Sequence, residues 1–195
     1  MIKIGLIGGS GCGKSSVAQY LTNLGLVHID CDAIAREVVE PATPCLAELA
    51  MHFGESILHE DGSLNRKQLA AIAFSSDDQT KALNRITHKY ILKQTDHYIE
   101  SAYPAKGVVV DAAALAESGY LDTCDTVIAV ICPKWKRLLR IMRRDHISYK
   151  QARQRIKAQK TDDFYCSYAN FIITNNGNFK HLLRQVQQIY TKIFE

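Results

Sequence analysis

The sequence predicts an α/β fold: a five-stranded parallel sheet flanked by helices, with a helical lobe and a helical lid attached. Three observations predict it. Five short, mostly apolar runs alternate with stretches of helical periodicity, the pattern of a parallel sheet covered on both faces. The first run passes straight into a glycine-rich turn that opens a helix. A long, mainly helical insertion at 32–106 separates the second run from the third, and insertions of that length commonly carry substrate contacts.

The elements follow in order. Residues 2–7, Ile-Lys-Ile-Gly-Leu-Ile, read as a buried strand. A helix is expected from Lys14 to about Leu24, with Val17, Ala18 and Leu21 on one face and Gly25 at its end. Leu26–Ile29 is the second strand, stopping at Asp30-Cys31-Asp32. In the insertion, Pro44 suits a first helical position after Thr43. Asp61-Gly62 marks a turn, and Ser76-Asp-Asp-Gln79 has the spacing of a capping box that opens a long helix through Tyr98. Val108–Asp111 and Thr126–Ile131 are the third and fourth strands. Two basic helical stretches follow, Lys134–Arg144 and Ser148–Lys160, the second opened by Ser148-x-x-Gln151. Phe171–Thr174 is a short fifth strand before the turn Asn175-Asn-Gly177, and a terminal amphipathic helix carries Leu182, Val186 and Ile189.

Composition sets the bounds. The 195 residues suffice for one substantial core with small attached lobes. No apolar run approaches a membrane span, and the N-terminus enters a strand pattern at once, without the features of a signal peptide. The cytoplasm is therefore expected. The six cysteines form no C-x-x-C pair and no metal spacing with the histidines, so they read as reduced thiols. Cys12 stands at a predicted helix N-terminus, where thiolate is favoured, but a small residue that fits the loop is the simpler reading. Trp135 is expected to pack. The net charge of +4 is unevenly spread: residues 134–160 hold eleven Lys or Arg and one acid, a local +10, against −6 elsewhere. A nucleic-acid binder concentrates charge this way, and so does a cationic lid over a polyphosphate.

The chemistry starts at Gly8–Ser15, which fits G-x-x-x-x-G-K-[ST] without departure. Glycines let successive backbone N–H groups point at phosphate oxygens. Lys14 brings a point charge to the β and γ phosphates, Ser15 offers a hydroxyl to Mg²⁺, and the helix adds its positive end. This is the phosphate cradle of the P-loop NTPase/kinase fold. The guanine-reading N-K-x-D is absent after the fourth strand, which weighs against a GTPase. Asp30 and Asp32 lie at the carboxyl end of the second strand, where such sheets bind ligands. An acid there accepts a proton from an attacking hydroxyl; Asp32 takes that role here, against the plainer reading of a helix cap. Asp111, ending the third strand, is positioned to hold Mg²⁺ directly or through water, and Glu117 is an alternative for metal or acceptor. Arg140 and Arg144 stand four apart on one helical face, suited to a triphosphate.

Together these residues resemble the dephospho-CoA kinase family. The resemblance runs over nearly the whole chain: the cradle, Ile29-Asp-Cys-Asp-Ala-Ile-Ala-Arg36, Val38-Val-Glu-Pro41, His52-Phe-Gly54, Asp61-Gly-Ser-Leu-Asn-Arg66, His88, Glu117-Ser-Gly119, Arg140, Arg144-Asp145, Ala158-Gln159 and Asn175-Asn-Gly177. It implies transfer of the ATP γ-phosphate to the ribose 3′-hydroxyl of dephospho-CoA, the last step of coenzyme A synthesis, with Mg²⁺. It implies a nucleotide-binding core at 1–31, 107–133 and 161–195, an acceptor lobe at 32–106 and a basic lid at 134–160. It implies an ATP site of Gly9, Ser10, Gly11, Cys12, Gly13, Lys14, Ser15, Ser16, Arg140, Arg144, Asn175 and Gly177. Asp32, Lys14 and Arg140 are then catalytic, and Asp32, Arg36, Arg66, His88 and Glu117 face the acceptor. Its partners are ATP and dephospho-CoA, without nucleic acid or membrane; a monomer is expected, with an oligomer left open. The chain departs from the family's usual pattern at Lys89 (usually proline), at Ala113-Ala114-Leu115 (usually Pro-Leu-Leu) and before Asn175 (usually an acidic stretch). None of these changes removes a group given a chemical role. The rivals are another small-molecule kinase on this fold, such as a shikimate kinase, and a non-catalytic ATP- or nucleic-acid-binding module. The basic run has few interleaved aromatics for base stacking, which weighs against the last.

Overall fold

The computed structural model describes residues 1–111 and 119–195. The strands are β1 (Ile2–Ile7), β2 (Val27–Asp30), β3 (Gly107–Asp111), β4 (Thr126–Ile131) and β5 (Phe171–Thr174). They form one sheet in the order β2-β3-β1-β4-β5. β1 pairs parallel with β3 and β4, and β4 pairs parallel with β5. The order places β1 centrally, so the loop that leaves it opens beside the ends of β3 and β4.

Helices α1 (Lys14–Asn23) and α9 (Phe179–Phe194) pack together. Alternate strand residues Ile4, Leu6, Val109, Ile128, Val130 and Ile173 form one core with Val17, Leu21, Leu182 and Val186 of these helices. Side chains alternate between faces along a strand, so this is one face of the sheet. On the other, Val108, Val110, Val127 and Ala129 are also buried. Sandwiching on both faces is why these strands read as continuous apolar runs.

The chain divides into two compact units, one of residues 1–29 and 102–195, the other of residues 30–101. The second unit contains α2 (Cys31–Glu37), α3 (Pro44–Phe53), α4 (Arg66–Ala73) and α5 (Asp77–Ser101), with α2, α3 and α4 each packed on α5. Pro44 follows the Thr43 cap as expected, the Thr43 hydroxyl accepting the Leu46 N–H. Only half of the anticipated box before α5 forms. Ser76 Oγ accepts the Gln79 N–H, while the buried Gln79 side-chain oxygen makes no return bond among the described residues. The first unit also holds α6 (Lys134–Asp145), α7 (Tyr149–Lys157) and α8 (Asp162–Tyr168). The Ser148–Gln151 box before α7 is complete. Trp135 is a correction: it is 59% exposed on α6 and does not pack in the core. Its neighbour in the helix sequence, Lys136, lies over the ring. Among the described residues no helix is long and apolar enough to cross a membrane.

Candidate active site

The loop between β1 and α1 is built where only glycine fits. Gly8, Gly11 and Gly13 have φ of 140°, 77° and 105°, values that side chains rarely tolerate. Space is lacking as well. A Cβ on Gly8 would lie 2.3 Å from the Val130 carbonyl oxygen, and one on Gly13 would lie 2.3 Å from Asn175 Nδ2. The Cys12 N–H closes a turn onto Gly9 O. The N–H groups of Gly11, Gly13 and Ser15 take no backbone acceptor among the described residues, while the Lys14 N–H is directed at the Cys12 thiol. Together with the N-terminal end of α1 they form an anion-binding concavity.

Lys14 lies across this loop. Its Nζ donates to Gly8 O at 3.0 Å and stands 3.9 Å from Asp111 Oδ1, with both side chains largely buried. The contact brings the carboxylate ending β3 beside the first turn of α1, where Ser15 is exposed. A hydroxyl and a carboxylate are hard oxygen donors of the kind Mg²⁺ takes alongside phosphate and water. The two residues fit the ion.

Helix α6 supports the loop from its carbonyl side. Arg140 donates from Nη1 to Gly11 O at 3.1 Å and Cys12 O at 3.3 Å. The buried Asn175 donates from Nδ2 to Cys12 O at 2.8 Å. Arg144 reaches Ser10 Oγ at 3.3 Å and binds Asp145 through two bonds. The bonds from Arg144, and secondarily the charge of Arg155, hold the Asp145 carboxyl below the usual range. Lys136 donates to Asn176 O, in the turn that contains Gly177. Thus the structure brings Arg140, Arg144 and Asn175 to the cradle.

Sequence reasoning passed over Arg137. It is 2% exposed, and it donates from Nε to Ser10 O at 3.0 Å, from Nη2 to Gln159 Oε1 at 2.8 Å and from Nη1 to Asp162 Oδ1 at 3.2 Å. Gln159 Oε1 in turn accepts the Ser10 N–H at 2.9 Å. Both backbone groups of Ser10 are therefore held by one cluster. A Cβ on Gly9 would lie 2.1 Å from Arg137 Nη2, which explains that glycine too. The available signal was spacing: Arg137 precedes Arg140 by three and Arg144 by seven, one helical face.

Cys12 is 1% exposed, and burial pushes its thiol up, outweighing the lowering effect of Lys14. The favoured thiolate considered from its helix-end position is not found; the small, loop-fitting residue is.

In the second unit, Asp30 caps α2. Its Oδ1 accepts the N–H groups of Asp32 at 2.9 Å and Ala33 at 3.1 Å. The capping role weighed for Asp32 thus belongs to Asp30, and Asp32 is an exposed carboxylate in the first turn. Arg36 is exposed in the last turn of α2, Arg66 is exposed at the start of α4 and His88 is half-buried in α5. Glu117 and the Ala113-Ala114-Leu115 departure lie outside the described residues.

A parallel sheet in this order, with a lysine-bearing glycine loop between its central strand and the first helix, defines a P-loop phosphotransferase fold and site. A family model described as dephospho-CoA kinase matches residues 2–181. A dephospho-CoA kinase from Corynebacterium efficiens is 41% identical over 195 residues, covering 99% of this chain and 98% of the relative. Among solved structures, a protein from Thermus thermophilus has a TM-score of 0.85 at 27% identity, covering 100% of this chain and 98% of its own. Dephospho-CoA kinase from Campylobacter jejuni has a TM-score of 0.68 at 26% identity, covering 98% and 96%. The chain belongs to the dephospho-CoA kinase family and is an ATP-dependent kinase. The shikimate-kinase-like and non-catalytic readings give way to this membership.

Proposed function

We propose that the chain transfers the γ-phosphate of ATP to the ribose 3′-hydroxyl of dephospho-CoA with the residues named here. The observation that carries this reading is the Gly8–Ser15 loop, with Lys14 between Gly8 O and the Asp111 carboxylate. Gly9 through Ser16 surround the phosphates, which take the N–H groups of Gly11, Gly13 and Ser15, the Lys14 charge and the positive helix end. Ser15 would hold Mg²⁺, with Asp111 acting through water. When bound, the ion supplies charge neutralisation between the β and γ oxygens. Arg140 and Arg144 reach the triphosphate from the basic lid at 134–160, and the turn at Asn175 and Gly177 borders the adenine. What supports this is that both arginines and Asn175 already bond to loop atoms.

Phosphoryl transfer needs positioning and charge stabilisation more than covalent chemistry. Asp32 accepts the proton of the attacking hydroxyl. That reading is supported by the cap falling to Asp30, which leaves the Asp32 carboxylate outside the helix's own bonding. Arg36, Arg66 and His88, in the lobe at 32–106, form the acceptor site together with Glu117. The enzyme works as a cytoplasmic monomer, with no nucleic-acid or membrane partner. The test is ADP release from the purified chain with Mg²⁺–ATP and a panel of alcohols. Release that follows dephospho-CoA alone supports the assignment. Equal release with shikimate or a nucleoside, or none with dephospho-CoA, overturns it.

A further inference from the structure

Behind the cradle, α6, α7 and the start of α8 border a half-open recess of about 700 Å³. The proposed chemistry does not use it. Its rim carries Lys134, Arg153 and Lys157, exposed cations that make no ion pair among the described residues. Its apolar lining comes from Leu138, Tyr149 and Ile156. Arg137 forms part of the wall. That guanidinium is 2% exposed, yet it has one carboxylate partner, Asp162, through a single bond. Its other two bonds go to neutral oxygens, so two of its five N–H hydrogens have no acceptor among the described residues. With five cations (Lys134, Arg137, Arg153, Lys157 and Lys160) against two carboxylates (Asp162 and Asp163) and apolar side chains among them, the lining fits an anion attached to an apolar or aromatic body.

We propose that this cavity is a second binding site, for an organic polyphosphate, and that it communicates with the ATP cradle. A flexible single strand of RNA needs an extended groove with several stacking platforms, whereas this half-open recess has small-molecule size and a single aromatic side chain, Tyr149. The route of communication is short. Arg137 and Gln159 hold the carbonyl and the N–H of Ser10, and both line the cavity. A phosphate that draws Arg137 toward the cavity loosens Ser10, and its charge opposes the triphosphate on the other side of the same guanidinium. Filling the cavity therefore weakens ATP binding, and by linkage ATP weakens binding in the cavity by the same factor, roughly 5- to 20-fold. This holds whichever alcohol accepts the phosphate.

The test uses the full chain. Coenzyme A and inorganic tripolyphosphate are titrated separately by calorimetry, with Mg²⁺ and a non-hydrolysable ATP analogue at the lowest concentration that fills the cradle of the R153E/K157E variant. The coenzyme A titration also contains dephospho-CoA at the lowest concentration that fills the acceptor site of that variant, so that heat from the acceptor site is suppressed. One further site is expected, filled below about 10 mM and lost in the double variant R153E/K157E. That variant reverses two charges of the basic segment and so raises the KM for ATP, and its kcat is therefore measured alongside at saturating Mg²⁺–ATP and dephospho-CoA; a retained kcat separates loss of this site from failure of the kinase assignment. Saturation by coenzyme A but not tripolyphosphate shows that the apolar floor contributes, and saturation by both shows that the phosphates suffice; either supports the site. No saturable heat, or the same heat in the variant, overturns it. So does binding of an RNA oligonucleotide that tripolyphosphate does not displace.

Discussion

Asp30 and Asp32 stand two residues apart, and their surroundings separate their work. The Asp30 carboxylate spends its lone pairs on two backbone N–H groups at the start of α2. Asp32 is in the first turn of the same helix, exposed. If Asp32 accepts the hydroxyl proton, Asp32→Asn removes the acceptor at nearly constant shape. Turnover is then expected to fall by about two to four orders of magnitude, the range for general acid–base catalysis, with ATP affinity unchanged. Stopped assays with calorimetric ATP titration check this, and near-normal turnover sinks the assignment. Sequence showed both acids but not which one capped the helix, because the choice depends on the extended backbone of Asp30 (φ −94°, ψ 101°). It likewise showed the charge of Arg137 but not its burial. A buried arginine looks like any other in a run of eleven cations until its three acceptors, on distant segments, are in place.

At the scale of the element, the first turn of α2 depends on its cap. The helix is only seven residues long, short enough to be marginal without tertiary packing. Asp30→Ala removes the acceptor for two N–H groups and is expected to cost about 1 kcal/mol. Asp30→Ser, which still caps, should recover most of it. Urea midpoints of the three proteins check this, and equal midpoints would discard the cap. A second element-scale feature concerns Lys89, where the resemblance leads one to expect proline. Lys89 Nζ donates to Glu48 Oε2 at 2.8 Å, and the Tyr90 hydroxyl donates to the same oxygen at 2.6 Å. The pair links α5 to α3. The bond from Lys89, and then that from Tyr90, hold the Glu48 carboxyl below its ordinary 4.5. A depressed carboxylate contributes stability above its unfolded value and loses it as pH falls through the folded one. The stability gap between the wild type and Glu48→Gln should therefore shrink from about pH 6 to about pH 3. A gap that stays constant or widens on acidification contradicts the linkage. Element existence and order were legible because period and capping signals agree, as with Thr43-Pro44 before α3 and Ser148-x-x-Gln151 before α7. The incomplete Ser76–Gln79 box shows the limit: the spacing permits a return bond, but packing buries the Gln79 oxygen away from it.

Over the whole molecule, charge is segregated, with +10 on residues 134–160 against −6 on all others. The cradle's own contacts are short-ranged and partly buried. Arg140 bonds to the loop carbonyls and Lys14 sits against Gly8 O, so salt barely screens them. Arg143 and Lys150 are exposed and make no side-chain hydrogen bond or ion pair to the loop among the described residues, so any effect they have on ATP runs through the field. Raising ionic strength from about 0.1 M to about 1 M shortens the screening length from roughly 10 Å to 3 Å. This removes the field contribution while leaving the contacts. The KM for ATP is therefore expected to rise severalfold across that range with kcat nearly constant. The double variant R143Q/K150Q should start from a higher KM and show a shallower rise. Magnesium must be held in excess throughout, so that the nucleotide stays metal-bound. A KM that does not respond to salt would mean that the basic segment acts by contact alone. A kcat that falls with it would mean that salt reaches the transferring phosphoryl group itself.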